Sequence, residues 1–191
     1  MEEKALETLK AMLIARQKKV EQIETLGNSL DDTRMYNLGG VLIIFSDKGR
    51  MTDGVIKSYV QFCDDNNYSN GLIIILATSP SENILELIRN HNSNPKNQLM
   101  QIFNIRYLQF DISTHRKVPQ HRMMEPEEIQ QLQKRMNITD LKQQLPWIDS
   151  QDAMAKWLGA RTGDIIEISR LSESAGNSKY YRYCVSNVLE T

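Results

Sequence analysis

The chain has 191 residues, 40% of them hydrophobic, which suits one domain of ordinary size or two small ones with a real core. Its formal net charge is −1, and both halves are near neutral: 12 basic against 13 acidic residues up to residue 110, then 11 against 11. That balance argues against a chain that grips DNA alone by neutralising many phosphates, since such binding draws on a clear excess of Lys and Arg, and a nucleic-acid contact is expected to be small or shared with a partner.

Leu6, Leu9, Leu13, Val20 and Ile23 recur at spacings of three, four and seven, which predicts a helix over residues 5–26 stopped by Gly27. Gly39 and Gly40 then open VLIIFS, a short apolar run ahead of the turn-forming DKG and an expected buried strand. Helical spacing returns over residues 55–66, where Val55, Tyr59 and Phe62 stand beside Ile56, Val60 and Cys63. GLIIILA, residues 71–77, is apolar without alternation and reads as a second buried strand. In TSPSENILELIRN, Ser79 is the expected N-cap, Pro80 fills the first helical position and Glu82 completes a capping box. Strand, helix, strand, helix in that order predicts a parallel pair with a right-handed crossover.

HNSNPKN breaks this helix, QLMQIF adds a short further one, and in RYLQFDIS the alternation of Leu108, Phe110 and Ile112 predicts a half-exposed strand. A first domain therefore ends near residue 112, and HRKVPQHRMM, with no periodicity, reads as a connector over residues 113–123. The second domain, residues 124–191, starts with the helix PEEIQQLQKRM, which has Glu127 and Glu128 in its first turn and Lys134 and Arg135 in its last, as the helix dipole favours. DAMAKWLGA is a two-turn helix stopped by Gly159, and DIIEIS and KYYRYCVS are strands separated by the small-residue loop RLSESAG.

Candidate chemistry is sparse. His115 and His121 stand six residues apart across a proline, with no cysteine near enough to complete a zinc set, so no metal site and no cofactor is expected. No G-x-S-x-G elbow, Walker loop or G-x-G-x-x-G is present. GLIIILA carries no acid and no lysine, which leaves the strand best placed for nuclease metal ligands empty. Cys63 and Cys184, on an expected helix and an expected strand, fit half-buried free thiols in a reducing compartment. MEEKALETLK is too charged for a signal peptide, and no apolar run nears the ~20 residues that cross a bilayer, so a soluble intracellular protein with no membrane partner is expected. Two segments can bind partners: the helix start at Ser79, Pro80 and Ser81, whose hydroxyls and free N–H groups suit a phosphate, and the RLSESAG loop with Arg161, Arg170 and Arg182 around it.

From His115 onward an ordered pattern runs through Val118-Pro119, His121, Met124, Glu127-Glu128, Leu145-Pro146, Ile148, Asp152 and Ala155-Lys156. It continues with Gly159, Gly163, Ile168, Arg170, Ser172-Glu173, Ala175-Gly176 and Tyr181-Arg182. Over about 70 residues this resembles the C-terminal domain of the eukaryotic RNA polymerase subunit RPB5 and of its archaeal counterpart. The chain departs from that family's usual residues at Ala153, Trp157, Leu171 and Ser174. The N-terminal half is similar in outline only to the family's jaw domain, with Ser79-Pro80-Ser81 where the family has Thr-Pro-Ser-Ala, and the region before Gly39 is shorter, as in a divergent or viral member.

The resemblance implies an α/β, nuclease-like jaw domain with a small sheet, followed by a small α+β assembly domain, in a non-catalytic polymerase subunit without cofactors. Its implied partners are the largest polymerase subunit, a small neighbouring subunit and downstream duplex DNA. The implied polymerase interface comprises His115, Val118, Pro119, His121, Arg161, Gly163, Arg170, Ser172, Glu173, Ala175, Gly176 and Arg182, and the DNA-facing edge comprises Ser79, Pro80 and Ser81. A nuclear location follows for a cellular eukaryotic member, and the virion or host cytoplasm for a viral one. The competing readings are a polymerase-associated adaptor and a free-standing DNA-binding protein with an inactive nuclease-like fold.

Overall fold

The computed structural model describes residues 1–20, 22–27, 33–49, 51–172 and 176–188. The chain divides into two compact units, Met1–Asp111 and Ile112–Thr191.

The first unit starts with α1 (Glu2–Ala15), which buries Ala5, Leu9, Met12 and Leu13. The predicted helix over 5–26 is too long. Gln17 takes a left-handed conformation, its N–H donates to Ile14 O and that of Lys18 donates to Leu13 O, which is a Schellman stop. Val20 falls outside the helix, and Ile23 belongs to a strand, β1 (Ile23–Gly27). A second strand that the periodicity does not announce, β2 (Thr33–Leu38), pairs antiparallel with both β1 and β3 (Val41–Ser46). Gly39 and Gly40, both at positive φ, make the two-residue turn between Leu38 and Val41, so the glycines close a hairpin rather than merely precede a strand.

Beyond β3 the chain alternates: α2 (Asp53–Asp65), β4 (Gly71–Leu76), α3 (Glu82–Ser93) and β5 (Met100–Asn104). The sheet order is β1-β2-β3-β4-β5, with β3, β4 and β5 mutually parallel. QLMQIF therefore contributes a strand, not a helix. The two apolar runs expected as buried strands are β3 and β4, and every residue of each is buried. Leu42, Ile44, Leu72, Ile74 and Ile102 pack with Ile56, Tyr59 and Cys63 of α2 and Ile84 and Ile88 of α3. On the opposite face, Arg16 at the end of α1 donates to Gln101 of β5 at 2.7 Å, and Tyr36 of β2 donates to Glu2 of α1 at 2.7 Å. Covered on both sides, the central strands can be apolar throughout. Each buried Leu or Ile contributes roughly 1.5–3 kcal/mol relative to an exposed one.

The half-exposed strand expected in RYLQFDIS is absent. The Asn104 side chain accepts from the Arg106 N–H and starts a 3₁₀ turn, Ile105–Leu108, followed by another at Ile112–Thr114. Leu108 is buried, whereas Phe110 is 54% exposed.

In the second unit, part of the expected connector is β6 (Gln120–Met123). Then come α4 (Pro126–Met136), the short α5 (Leu141–Gln144), β7 (Trp147–Asp149), α6 (Ala153–Leu158), β8 (Ile165–Ser172) and β9 (Gly176–Val185), in a sheet ordered β6-β8-β9-β7. The helix predicted at PEEIQQLQKRM is α4, with Glu125 and Glu128 forming a capping box. α6 is capped by the Asp152 carboxylate and stopped by Gly159. Ala155 and Ala160 pack on Ile148, Ile166, Ile168 and Cys184 to form this unit's core. Both cysteines are free and fully buried rather than half-buried.

Candidate functional site

Strand register sorts the predicted interface residues by sheet face. His121 stands opposite Ile168, which stands opposite Tyr180; Arg170 stands opposite Ser178, and Ile166 opposite Arg182. Side chains alternate along a strand, so His121, Arg170, Tyr180 and Arg182 lie on the face that carries the core residues Ile166 and Ile168. Arg170, Tyr180 and Arg182 are exposed, and Arg182 donates to the Trp147 carbonyl at 2.8 Å. The backbone of Ser172 pairs with Gly176, so residues 170–172 and Gly176 of the expected RLSESAG loop belong to β8 and β9. Glu173 and Ala175 lie outside the described residues.

The other predicted positions have local bonding roles. The Val118 N–H donates to His115 O, and the Lys117 N–H donates to His115 Nδ1, forming a tight turn. His121 Nδ1 donates to Pro119 O at 2.7 Å. The Arg161 N–H donates to the Asp164 carboxylate, and the Gly163 N–H donates to Cys184 O, so these two hold the turn entering β8. Burial raises the Asp164 carboxyl, against that N–H bond.

Sequence reasoning missed the polar cluster on the opposite face. Arg122 of β6 grips Glu128 of α4 through two bonds of 2.7 and 2.8 Å, and Glu167 of β8 through two of 3.0 and 3.1 Å. Lys179 of β9 adds a bond to Glu167 at 3.2 Å. Hydrogen bonds from Arg122 and from the Glu125 N–H hold the Glu128 carboxyl down at about 2. Burial pushes Glu167 up, but its bonds from Arg122 and Lys179 outweigh that and leave it below the ordinary glutamate value. The cluster ties three strands to α4. Its partners are up to 45 residues apart in sequence, and only the Glu125-x-x-Glu128 capping pattern gives a local sign of it.

In the first unit, Ser79, Pro80 and Ser81 border a cleft of about 480 Å³ at the carboxyl ends of β3 and β4, where α2 and α3 begin. The predicted cap is displaced: α3 starts at Glu82, Ser81 is its N-cap without a side-chain bond, and Pro80 precedes the helix. Glu82 instead pairs with Arg89. Ser79 and Ser81 are exposed; Thr52, Asp53, Thr78 and Asn83 are the other polar side chains of the lining, and no Lys or Arg lines the cleft among the described residues. The described residues of the site offer hydroxyl, amide and backbone N–H donors but no positively charged side chain. No group of three or more His, Cys, Asp or Glu suited to a metal ion occurs among the described residues.

Two comparisons bear on the second unit. Residues 110–184 match the family described as RNA polymerase Rpb5, C-terminal domain. DNA-directed RNA polymerase subunit Rpo5 of Sulfolobus acidocaldarius is 45% identical over 76 residues, which is 40% of this chain and 88% of the relative. The same-named subunit of Archaeoglobus fulgidus is 41% identical over 78 residues, 41% of this chain and 100% of the relative. That of Pyrococcus abyssi is 44% identical over 79 residues, 41% of this chain and 94% of the relative. With nearly the whole length of these subunits contained in it at such identity, the chain belongs to the Rpo5/RPB5 family of DNA-directed RNA polymerase subunits.

Proposed function

We propose that this protein is a non-catalytic subunit of a multisubunit DNA-dependent RNA polymerase. In this reading its second unit docks on the largest polymerase subunit and a small neighbouring subunit, and its first unit forms part of the jaw beside downstream duplex DNA. The observation that carries the reading is the coverage of the relatives: 88 to 100% of the length of proteins named as polymerase subunits is matched by about two fifths of this chain. The exposed side chains of Arg170, Tyr180 and Arg182 support the docking role, and the cleft at Ser79, Pro80 and Ser81 supplies the DNA-facing edge.

Affinity purification of the tagged chain from its native source tests this. Co-purification of the two largest polymerase subunits in fixed ratio is the expected result. A monomer, or a partner present at only partial occupancy, points instead to a free-standing protein or to an adaptor.

A further inference from the structure

β8 pairs along its whole length with β9, Ile165 with Tyr183 through Ser172 with Gly176, but the strands flanking them are short. β7 covers only Tyr183, Cys184 and Val185, so residues 176–182 of β9 have no outer neighbour among the described residues.

The hydrogen bonds at the paired end show which way the backbone points. Gly163 donates to Cys184 O and Cys184 donates to Asp164 O, so the polar groups of Cys184 face β8, whereas the Tyr183 N–H donates outward to Pro146 O. Strand periodicity is two, so the N–H and C=O groups of Tyr181 and Lys179 also point outward, where no strand among the described residues receives them. Edges of this kind are usually blunted by proline, by a bulge or by charge. Here the register runs without a shift, no proline intervenes, and the Lys179 ammonium is drawn aside to Glu167.

The flanking charge defines the occupant. Arg182 is exposed beside this edge, and Arg135 of α4 donates to the Tyr181 hydroxyl at 3.0 Å from the opposite face. Arg170 lies one strand further in, and none of these three guanidinium groups has a carboxylate partner among the described residues. The geometry points to β-strand addition: an extended segment of the polymerase partner, bearing acidic side chains, pairs with the open edge of β9 at Lys179 and Tyr181. This rests on the proposed docking through the second unit and names its mode.

Amide exchange tests it on the unmodified chain, alone and co-expressed with the largest polymerase subunit of its source. The outward amides of residues 179 and 181 exchange freely in the isolated chain and slow by about 100-fold or more in the complex, as for ladder hydrogen bonds. Lys179→Pro removes an outward N–H that β8 does not use, so it weakens the complex about tenfold relative to Lys179→Ala, which keeps the amide. A complex that forms while both amides exchange as in the free chain overturns strand addition and leaves docking intact. Failure to form any complex overturns both. Protection of the same amides by duplex DNA alone, or by self-association at high concentration, assigns the edge to a different occupant and overturns the inference.

Discussion

Arg122 and Glu167 stand directly opposite each other on β6 and β8, and the guanidinium that reaches Glu167 at 3.0 Å also grips Glu128 of α4. Glu167 is only 5% exposed, so this pairing decides whether a buried carboxylate has a partner. Arg122→Met leaves it with Lys179 alone. Because Arg122 is itself 42% exposed, solvent screening tempers the loss, and the variant is destabilised by about 2 kcal/mol. Adding Glu167→Gln to Arg122→Met recovers part of that loss, because the buried group no longer carries a charge. Urea denaturation of the full chain, followed through Trp147 and Trp157 of the second unit, measures both.

The same cluster gives the second unit an acid limit. The carboxyls of Glu128 and Glu167 lie lower in the folded state than in the unfolded chain, so they contribute stability that is fully present above the unfolded value. That contribution is lost as pH falls through the folded values, which for Glu128 means a window from the ordinary 4.5 down to about 2. Stability measured across this window falls with pH in the parent chain. In Arg122→Met the slope is shallower, since its carboxyls titrate nearer their unfolded values. Equal slopes would remove the cluster from the account.

How much of this was legible in the sequence follows from where each interaction lies. VLIIFS and GLIIIL read as strands because both faces of the first sheet are covered, which makes their apolar runs continuous. β1 gave no such sign: it is an edge strand, largely exposed, and its Ile23 continued by coincidence the spacing of α1 beyond the stop at Gln17. The capping pattern around Ser79 could be read in more than one frame, and the backbone stays extended through Ser81 before it coils. The positions resembling RPB5 carried the family assignment. The Arg122 cluster was illegible because the register of β6 on β8, not local spacing, brings its members together.

The hairpin at Gly39 and Gly40 has a stability consequence that separates two glycines of similar backbone. Gly39 has a φ of +59°, and a Cβ there would stand 2.4 Å from Lys19 O; Gly27 has a φ of +75°, and a Cβ there would meet nothing within 4 Å among the described residues. Gly27→Ala therefore costs only the left-handed penalty of about 1 kcal/mol. Gly39→Ala adds a collision with backbone and costs about 2–3 kcal/mol. Thermal melts of the two variants check the order, and equal losses would show that the turn adjusts freely.

Burial raises both thiols to about 12, so neither is a thiolate at neutral pH. Cys63 lies on the buried face of α2, where its Sγ donates to the Tyr68 carbonyl, and Cys184 of β9 lies in the core with Ala155 of α6. A thiol reagent at neutral pH is expected to label neither in the native chain and both in denaturant. Fast labelling of Cys184 alone would show that the second unit opens locally, and would shift attention to the short strand β7 that flanks it.

The cleft at Ser79 and Ser81 makes the least electrostatic demand on DNA. No Lys or Arg lines it among the described residues, and the charged lining residue among them, Asp53, is acidic. Among the described residues, the groups that would hold a phosphate there are hydroxyl and N–H donors, which bring none of the counterion release that gives most DNA binding its steep salt dependence. Ser79→Ala with Ser81→Ala should lower crosslinking of the assembled polymerase to downstream DNA modestly, and the salt dependence should stay as it was. Ser79→Glu with Ser81→Glu adds like-charge repulsion, which lowers crosslinking further by roughly threefold per added charge. The two responses separate a contact from proximity: if only the glutamate pair has an effect, the cleft lies near DNA without touching it, and if neither pair does, the serines merely line the entrance to α3.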